Sequence, residues 1–151
     1  MSSNEPEDAQ SQDQDFGASM GYRLAESADG LAVVELKILQ RHRNRWGTVH
    51  GGVILTLMDA AGLWSGAYRD GLMLAASSVS VTCNFVRAAT GDRLRAHAQV
   101  SKLGRAFYFS DLRVTSVPDD TLVATGTGVF AFSPDGKSMR ITADNPMLRT
   151  D

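Results

Sequence analysis

The chain has 151 residues, of which 43% are hydrophobic and 21% charged. That length fits one domain with one core, and the apolar share excludes wholesale disorder. The longest apolar stretch, Val53 to Ala67, is broken by Thr56, Asp59 and Ser65; it falls short of the roughly 18 apolar residues of a membrane span, so no membrane partner is expected.

In chain order, residues 1–15 hold Glu5, Glu7, Asp8, Asp13 and Asp15 and no Lys or Arg. They read as a disordered acidic tail ahead of a single domain over 16–151. An acidic, polar start lacks the basic-then-apolar order of a secretory leader, and the lone Cys83 has no internal disulfide partner. A cytoplasmic setting is the expectation. Beyond the tail, twelve acids face fifteen Lys and Arg. This mild basic surplus suits a small anionic ligand, but without a dense basic stripe or a stacking platform nucleic acid is not expected.

From Gly21 onward period two dominates, with a short extra helix expected before the first strand. Val34, Leu36 and Ile38 alternate with Val33, Glu35 and Lys37, and Val79, Val81, Cys83 and Phe85 form a second apolar row. Leu94, Ala96, Ala98 and Val100 form a third against Arg93, Arg95, His97 and Gln99. Each is a strand with one face on a core. Lys102–Arg105 reads as a turn into a strand over 106–116, and Pro118-Asp119-Asp120 as a turn into one over 122–132. Consecutive hairpin-like connections imply an antiparallel meander. Residues 133–151 read as loop and fraying terminus. The exception to period two is 52–68, apolar around the whole helical wheel, which predicts one buried helix. The class is α+β: five or six antiparallel strands wrapped around a central helix.

The chemistry concentrates where Asn44-Arg45-Trp46-Gly47-Thr48-Val49-His50-Gly51-Gly52 runs into that helix. Paired glycines let a backbone approach a ligand, and the first helical turn offers unpaired N–H groups with partial positive charge. The pair either holds an oxyanion or makes a tight start to a packed helix. Asp59 is a carboxylate inside an otherwise apolar helix, where burial is costly unless the charge is paired or used. It is either functional or a structural Asp satisfied by Thr56, one turn earlier, or by nearby backbone. Ser65 lacks the flanking glycines of a nucleophile elbow. His42, His50, His97 and Cys83 have no ligand spacing, so no metal is expected. Gly126-Thr127-Gly128 lacks the rest of a dinucleotide fingerprint and reads as a close backbone approach or bulge.

Asn44, Gly47, His50, Gly51 and Gly52, followed by the apolar helix with Asp59, resemble the hotdog-fold acyl-CoA thioesterases. The likeness is to the branch with the phenylacetyl-CoA and 4-hydroxybenzoyl-CoA thioesterases. It extends over roughly Ala18 to Ser133, since Asn84 to Ala88, Gly91-Asp92 and Gly104-Arg105 also look like that family, with Ala88 where many members have proline. The resemblance implies a hotdog fold and a thioester carbonyl at the Gly51 N–H. It further implies that Asn44 and His50 position the substrate, that Asp59 is general base or nucleophile, and that a strand serine, Ser78 or else Ser77 or Ser80, assists water. Gly52 and Thr56 fall beside that site. Coenzyme A is part of the substrate and no separate cofactor is implied; Arg87, Lys102 and Arg105 are candidates, as a set with Arg41, Arg43 and Arg45, for its phosphates. Met58, Trp64, Met73 and Phe85 could line an aryl or an alkyl acyl pocket. The rival readings are a hotdog module that binds acyl-CoA without turnover and a dehydratase, whose His and acid pair is missing.

One inference is independent of the family. Gly51 and Asp59 are eight residues apart on one helix, which at 1.5 Å per residue is roughly 12 Å along the axis. An oxyanion donor and a base must both sit within about 3 Å, or one water, of the same carbonyl. The two must come from different copies, so a homodimer or dimer of dimers with shared sites is expected.

Overall fold

A computed structural model of the chain describes residues 15–140. Helix α1 (Phe16–Met20) leads into strands β1 (Tyr22–Ala28) and β2 (Leu31–Lys37); a 3-10 turn (Gln40–His42) and a loop precede helix α2 (Gly51–Ala67). Short strands β3 (Tyr68–Arg69) and β4 (Leu72–Leu74) follow. The long strands are β5 (Ala76–Phe85), β6 (Arg93–Leu103), β7 (Phe107–Val117) and β8 (Thr121–Phe132), and β9 (Ser138–Arg140) comes last.

Six strands form one antiparallel sheet in the order β1-β2-β6-β7-β8-β5, and β3-β4-β9 form a smaller one. Ala32, Val34 and Leu36, with Leu94, Ala96 and Ala98 opposite them, point from the sheet onto α2 and are all but fully buried. The α+β architecture and the short helix before β1 are as the sequence predicts. The register of β7 and β8 falls within one residue of the expected strands.

Four expectations need correction. The meander holds only for β6-β7-β8: β5 lies at the far edge beside β8, because residues 86–92 carry the chain across the sheet to β6. Lys102 and Leu103 belong to β6, paired with Phe109 and Tyr108, so the turn is confined to 104–106. The segment after Ser133 contains β9, which pairs with β4. Asp15 lies in the structure rather than in a disordered tail: its carboxylate caps α1 by accepting the Ala18 N–H at 2.8 Å. The rest of the expected tail, and 141–151, lie outside the described residues.

The outer sheet face carries a charge cluster. Glu35, 3% exposed, accepts hydrogen bonds from Arg23 (2.8 Å) on β1 and from Arg93 (2.6 Å) and Arg95 (2.8 Å) on β6. Burial by itself would raise its carboxyl, but the hydrogen bonds from Arg95 and Arg93 and the charge of Arg23 outweigh it and hold the group below its ordinary value.

The Gly126-Thr127-Gly128 run is a close approach. A Cβ on Gly126 would stand only 1.9 Å from the Thr82 carbonyl oxygen on β5, so no larger residue fits without separating the two strands.

Candidate active site

The loop before α2 is built by its polar side chains. Asn44 Oδ1 accepts the Trp46 N–H at 2.9 Å and its Nδ2 donates to Thr48 Oγ1 at 2.8 Å, while the Asn44 N–H donates to the Thr48 carbonyl. Gly47 takes the left-handed turn position, φ 81°. The Arg43 guanidinium pins this loop by donating to the carbonyls of Gly47, Thr90 and Gly91. The second N–H of the Asn44 amide has no partner among the described residues.

His50 is the N-cap of α2, its Nδ1 accepting the Gly52 N–H at 2.9 Å. The Val53 and Ile54 N–H groups return to the His50 carbonyl. Of the first-turn donors, only the Gly51 N–H has no partner among the described residues. Gly51 lines a groove of about 310 Å³ with Val49, Ile54, Phe85, Val86 and Arg87. The Phe85 ring lies so close that a Cβ on Gly51 would sit 3.2 Å from its edge. Gly52, expected to face substrate through its backbone, has spent its N–H on His50.

Asp59 lies two turns further on. It is half-buried, not enclosed, because α2 leaves a stripe uncovered at Gly52, Leu55, Thr56 and Asp59. The expectation of a helix buried all round is therefore corrected: apolar residues on this stripe, with Leu55 at 38% exposure, have no cover from their own sheet. Thr56 does not hold the carboxylate either; its hydroxyl donates to the Gly52 carbonyl at 2.8 Å. Ser78 does, donating from Oγ to Asp59 Oδ1 at 2.5 Å, which leaves Oδ2 without a partner among the described residues. Asp59 borders a cavity of about 290 Å³ that it lines with Phe16, Gly52, Leu55, Thr56 and Val81.

A β-bulge makes the Ser78 contact. The register of β5 against β8 slips between Ser78 and Ser80, leaving Val79 as the extra residue, 56% exposed. In unbroken alternation Ser78 and Val81 point to opposite faces; the bulge turns both toward α2. The apolar row expected from Val79 to Phe85 is corrected accordingly: Val79 bulges outward, and Phe85 reaches past the core to Gly51.

The remaining candidates scatter. Arg87 borders the Gly51 groove. Arg105 joins Arg69, Gly104 and Lys137 around a separate groove of about 320 Å³ near the C-terminal end of α2. Lys102 is exposed and lines neither. Met58 and Trp64 are closed into the core and line none of these cavities. Phe16, Arg69 and Lys137 went unnoticed in the sequence, since nothing in local spacing brings α1, the end of α2 and the 133–137 turn to these cavities. Among the described residues, no three His, Cys, Asp or Glu side chains cluster closely enough to hold a metal, and no helix is long and apolar enough to cross a membrane.

One long helix packed against a wrapped antiparallel sheet of six strands defines a hotdog fold. The thioesterase superfamily profile matches residues 47–123, and the chain belongs to that family. The chain is 34% identical over 106 residues to a Pseudomonas aeruginosa protein classed among esterases, PA0474, covering 70% of this chain and 78% of that one. It is 29% identical to human acyl-coenzyme A thioesterase 13, covering 68% and 74%. Among solved structures, conserved protein PA5202 from P. aeruginosa superposes with a TM-score of 0.70 at 29% identity, over 80% of this chain and 94% of that one. Thioester hydrolysis is the chemistry of the class.

Proposed function

We propose that the protein hydrolyses an acyl-CoA thioester to a carboxylate and coenzyme A, without a metal, at sites shared between two copies of the chain. The observation that carries this reading is the Asp59 carboxylate, oriented by Ser78 with one oxygen free, beside a cavity on the open stripe of α2. The name and similarity of human acyl-coenzyme A thioesterase 13 support coenzyme A as the thiol.

In this account the free Gly51 N–H, at the positive end of the helix, receives the carbonyl oxygen as negative charge develops on it. His50 acts indirectly: by accepting the Gly52 N–H it fixes the helix start and the direction of the Gly51 donor. Asn44 holds the loop and offers its remaining amide N–H to the thioester or to water. Asp59 takes a proton from the attacking water, or attacks the carbonyl itself, and Ser78 fixes the carboxylate rotamer. Gly52 and Thr56 form the floor of the Asp59 cavity.

Gly51 and Asp59 border different cavities, and the helix rise separates them by roughly 12 Å. A second copy, related by a two-fold axis, supplies the missing half of each site. Among the described residues the ten-residue edge strand β5 pairs on one side only, with β8, and its Val79 and Phe85 are exposed, as is Leu55 on α2. A long open edge of this kind favours pairing with another chain. Arg105, with Arg69 and Lys137, and Arg87 at the Gly51 groove give the anionic phosphates of coenzyme A a basic surface.

The test is thiol release from a panel of aryl, short-chain and long-chain acyl-CoAs by wild type and Asp59→Asn. Turnover by wild type with loss in the variant is expected. Binding of acyl-CoA without turnover by wild type would assign the protein to the non-catalytic modules instead.

A further inference from the structure

Beside Asp59, the cavity's walls are contributed by three elements: Leu55 and Thr56 from α2, Val81 from β5 and Phe16 from α1. Phe16 is the unexpected member. It is 63% exposed, a poor place for a large aromatic ring unless something else covers it. Its helix has five residues, too few to persist alone, yet it is fastened at both ends. Asp15 caps the start, and the Gly21 N–H closes the end on the Gly17 carbonyl at 2.9 Å.

The fastening continues into the active-site loop. His42 is buried, with 1% exposure. Its Nδ1 accepts the Leu39 N–H at 3.0 Å, so the proton sits on Nε2, which donates to the Met20 carbonyl at 3.0 Å. Arg41 adds a hydrogen bond to the Ser19 carbonyl at 3.3 Å, and the His42 carbonyl accepts the His50 N–H at 2.9 Å. The backbone that carries Phe16 is therefore tied through one imidazole to the N-cap of α2. The Tyr22 phenol that follows α1 has its pKa raised, first by burial and then by the charges of Asp15 and Asp59.

The lining also restricts what enters. The Thr56 hydroxyl is committed to the Gly52 carbonyl, the Gly52 N–H to His50 and Ser78 to Asp59. Phe16, Leu55 and Val81 offer no hydrogen bonds. With these donors committed, the two amide carbonyls of a pantetheine arm would lose their water without replacement here, whereas an apolar chain would lose nothing. On the reading of the protein as an acyl-CoA hydrolase, we infer that this cavity takes the apolar acyl group and that Phe16, held in place by α1, is the residue that sets its permitted length.

The experiment compares wild type, Phe16→Ala and Phe16→Trp. One arm measures kcat/KM for short-, medium- and long-chain and phenylacetyl-CoA. The other measures, by calorimetry, binding of S-alkyl-CoA thioethers of the same lengths, which cannot be hydrolysed. Phe16→Ala should move the preference toward longer chains and weaken the wild type's preferred one by roughly tenfold, the scale on which apolar pockets discriminate. Phe16→Trp should move it toward shorter chains, and inhibition by free coenzyme A should be unchanged in both. Profiles that stay parallel in both arms would overturn the assignment, as would a wild type that binds no thioether. If wild type hydrolyses nothing but the thioether preference follows residue 16, the hydrolase reading fails and the assignment of the cavity stands. If hydrolysis proceeds with an unaltered preference, the reverse holds.

Discussion

The two faces of helix α2 meet different surroundings. On one, Leu57, Met58 and Ala61 have no measurable exposure, and the sheet presses in so closely that a Cβ on Gly62 or Gly66 would come within 2.3 Å of the Phe130 or Tyr108 ring. Tyr108 stacks on Phe130 at 5.2 Å and donates to the Leu63 carbonyl at 2.6 Å. On the other face Leu55 is exposed, and Thr56 and Asp59 are half-buried beside open cavities. The closed face holds the fold together, and the open face leaves polar atoms and apolar surface for something outside the chain. Substitutions on the two faces should separate stability from activity.

The sharpest separation is expected at Asp59. Asp59→Asn keeps the shape and the Ser78 contact but removes the basic oxygen, so kcat should fall by roughly two to four orders of magnitude with the melting temperature nearly unchanged. Stopped assays and calorimetry on one preparation check both. On the closed face, Met58→Ala or Leu57→Ala should cost about 2–5 kcal/mol in urea unfolding, the range for emptying a packed core position. If the open face proved equally costly, the division would be wrong.

The outer charge cluster offers a third contrast, because it lies on neither helix face. Glu35→Ala strands three arginines and should cost about 2–3 kcal/mol, below the usual figure for breaking a buried pair since the arginines are partly exposed. Glu35 is held below its ordinary value of 4.5 in the fold. Its contribution is therefore complete above that pH and is lost as pH falls through the lower folded value. Thermal unfolding from neutral to acid pH should show this loss in wild type and much less of it in Glu35→Gln. Smaller again is Ser78→Ala, which frees the Asp59 rotamer and should lower kcat by about tenfold, the worth of one hydrogen bond to a charged group, with KM little changed. The smallest effect expected is from prolonged chelation with EDTA, which should leave turnover intact. Loss of activity restored by a divalent ion would point to a metal role for His50 or Asp59.

Sequence periodicity revealed the closed face better than the open one. Period two in 31–37 and 93–100 is set by side chains packed on α2, and those strands lie where expected. The helix misled because an apolar wheel does not say what covers each side; among the described residues Leu55 and its stripe stay uncovered. The bulge at Val79 was invisible for a different reason. It substitutes one apolar residue for another in an apparently regular row, and only pairing against Val129 and Phe130 exposes the slip. The Asn44 to Gly52 motif and Asp59 were legible because glycines at a helix start and a carboxylate in an apolar helix are each costly without a purpose. Phe16 and the Arg69–Arg105–Lys137 groove were not, since long-range topology alone assembles them.

The proposed sharing of each site between two copies can be tested with two inactive variants. Asn44→Ala damages the loop side of a site and Asp59→Asn the carboxylate side. If each site draws these residues from different chains, a mixed dimer holds one doubly damaged site and one intact site. Co-refolded variants should then regain activity approaching half the wild-type rate per mixed dimer. No recovery, with native mass spectrometry establishing that mixed dimers formed, would contradict the shared site.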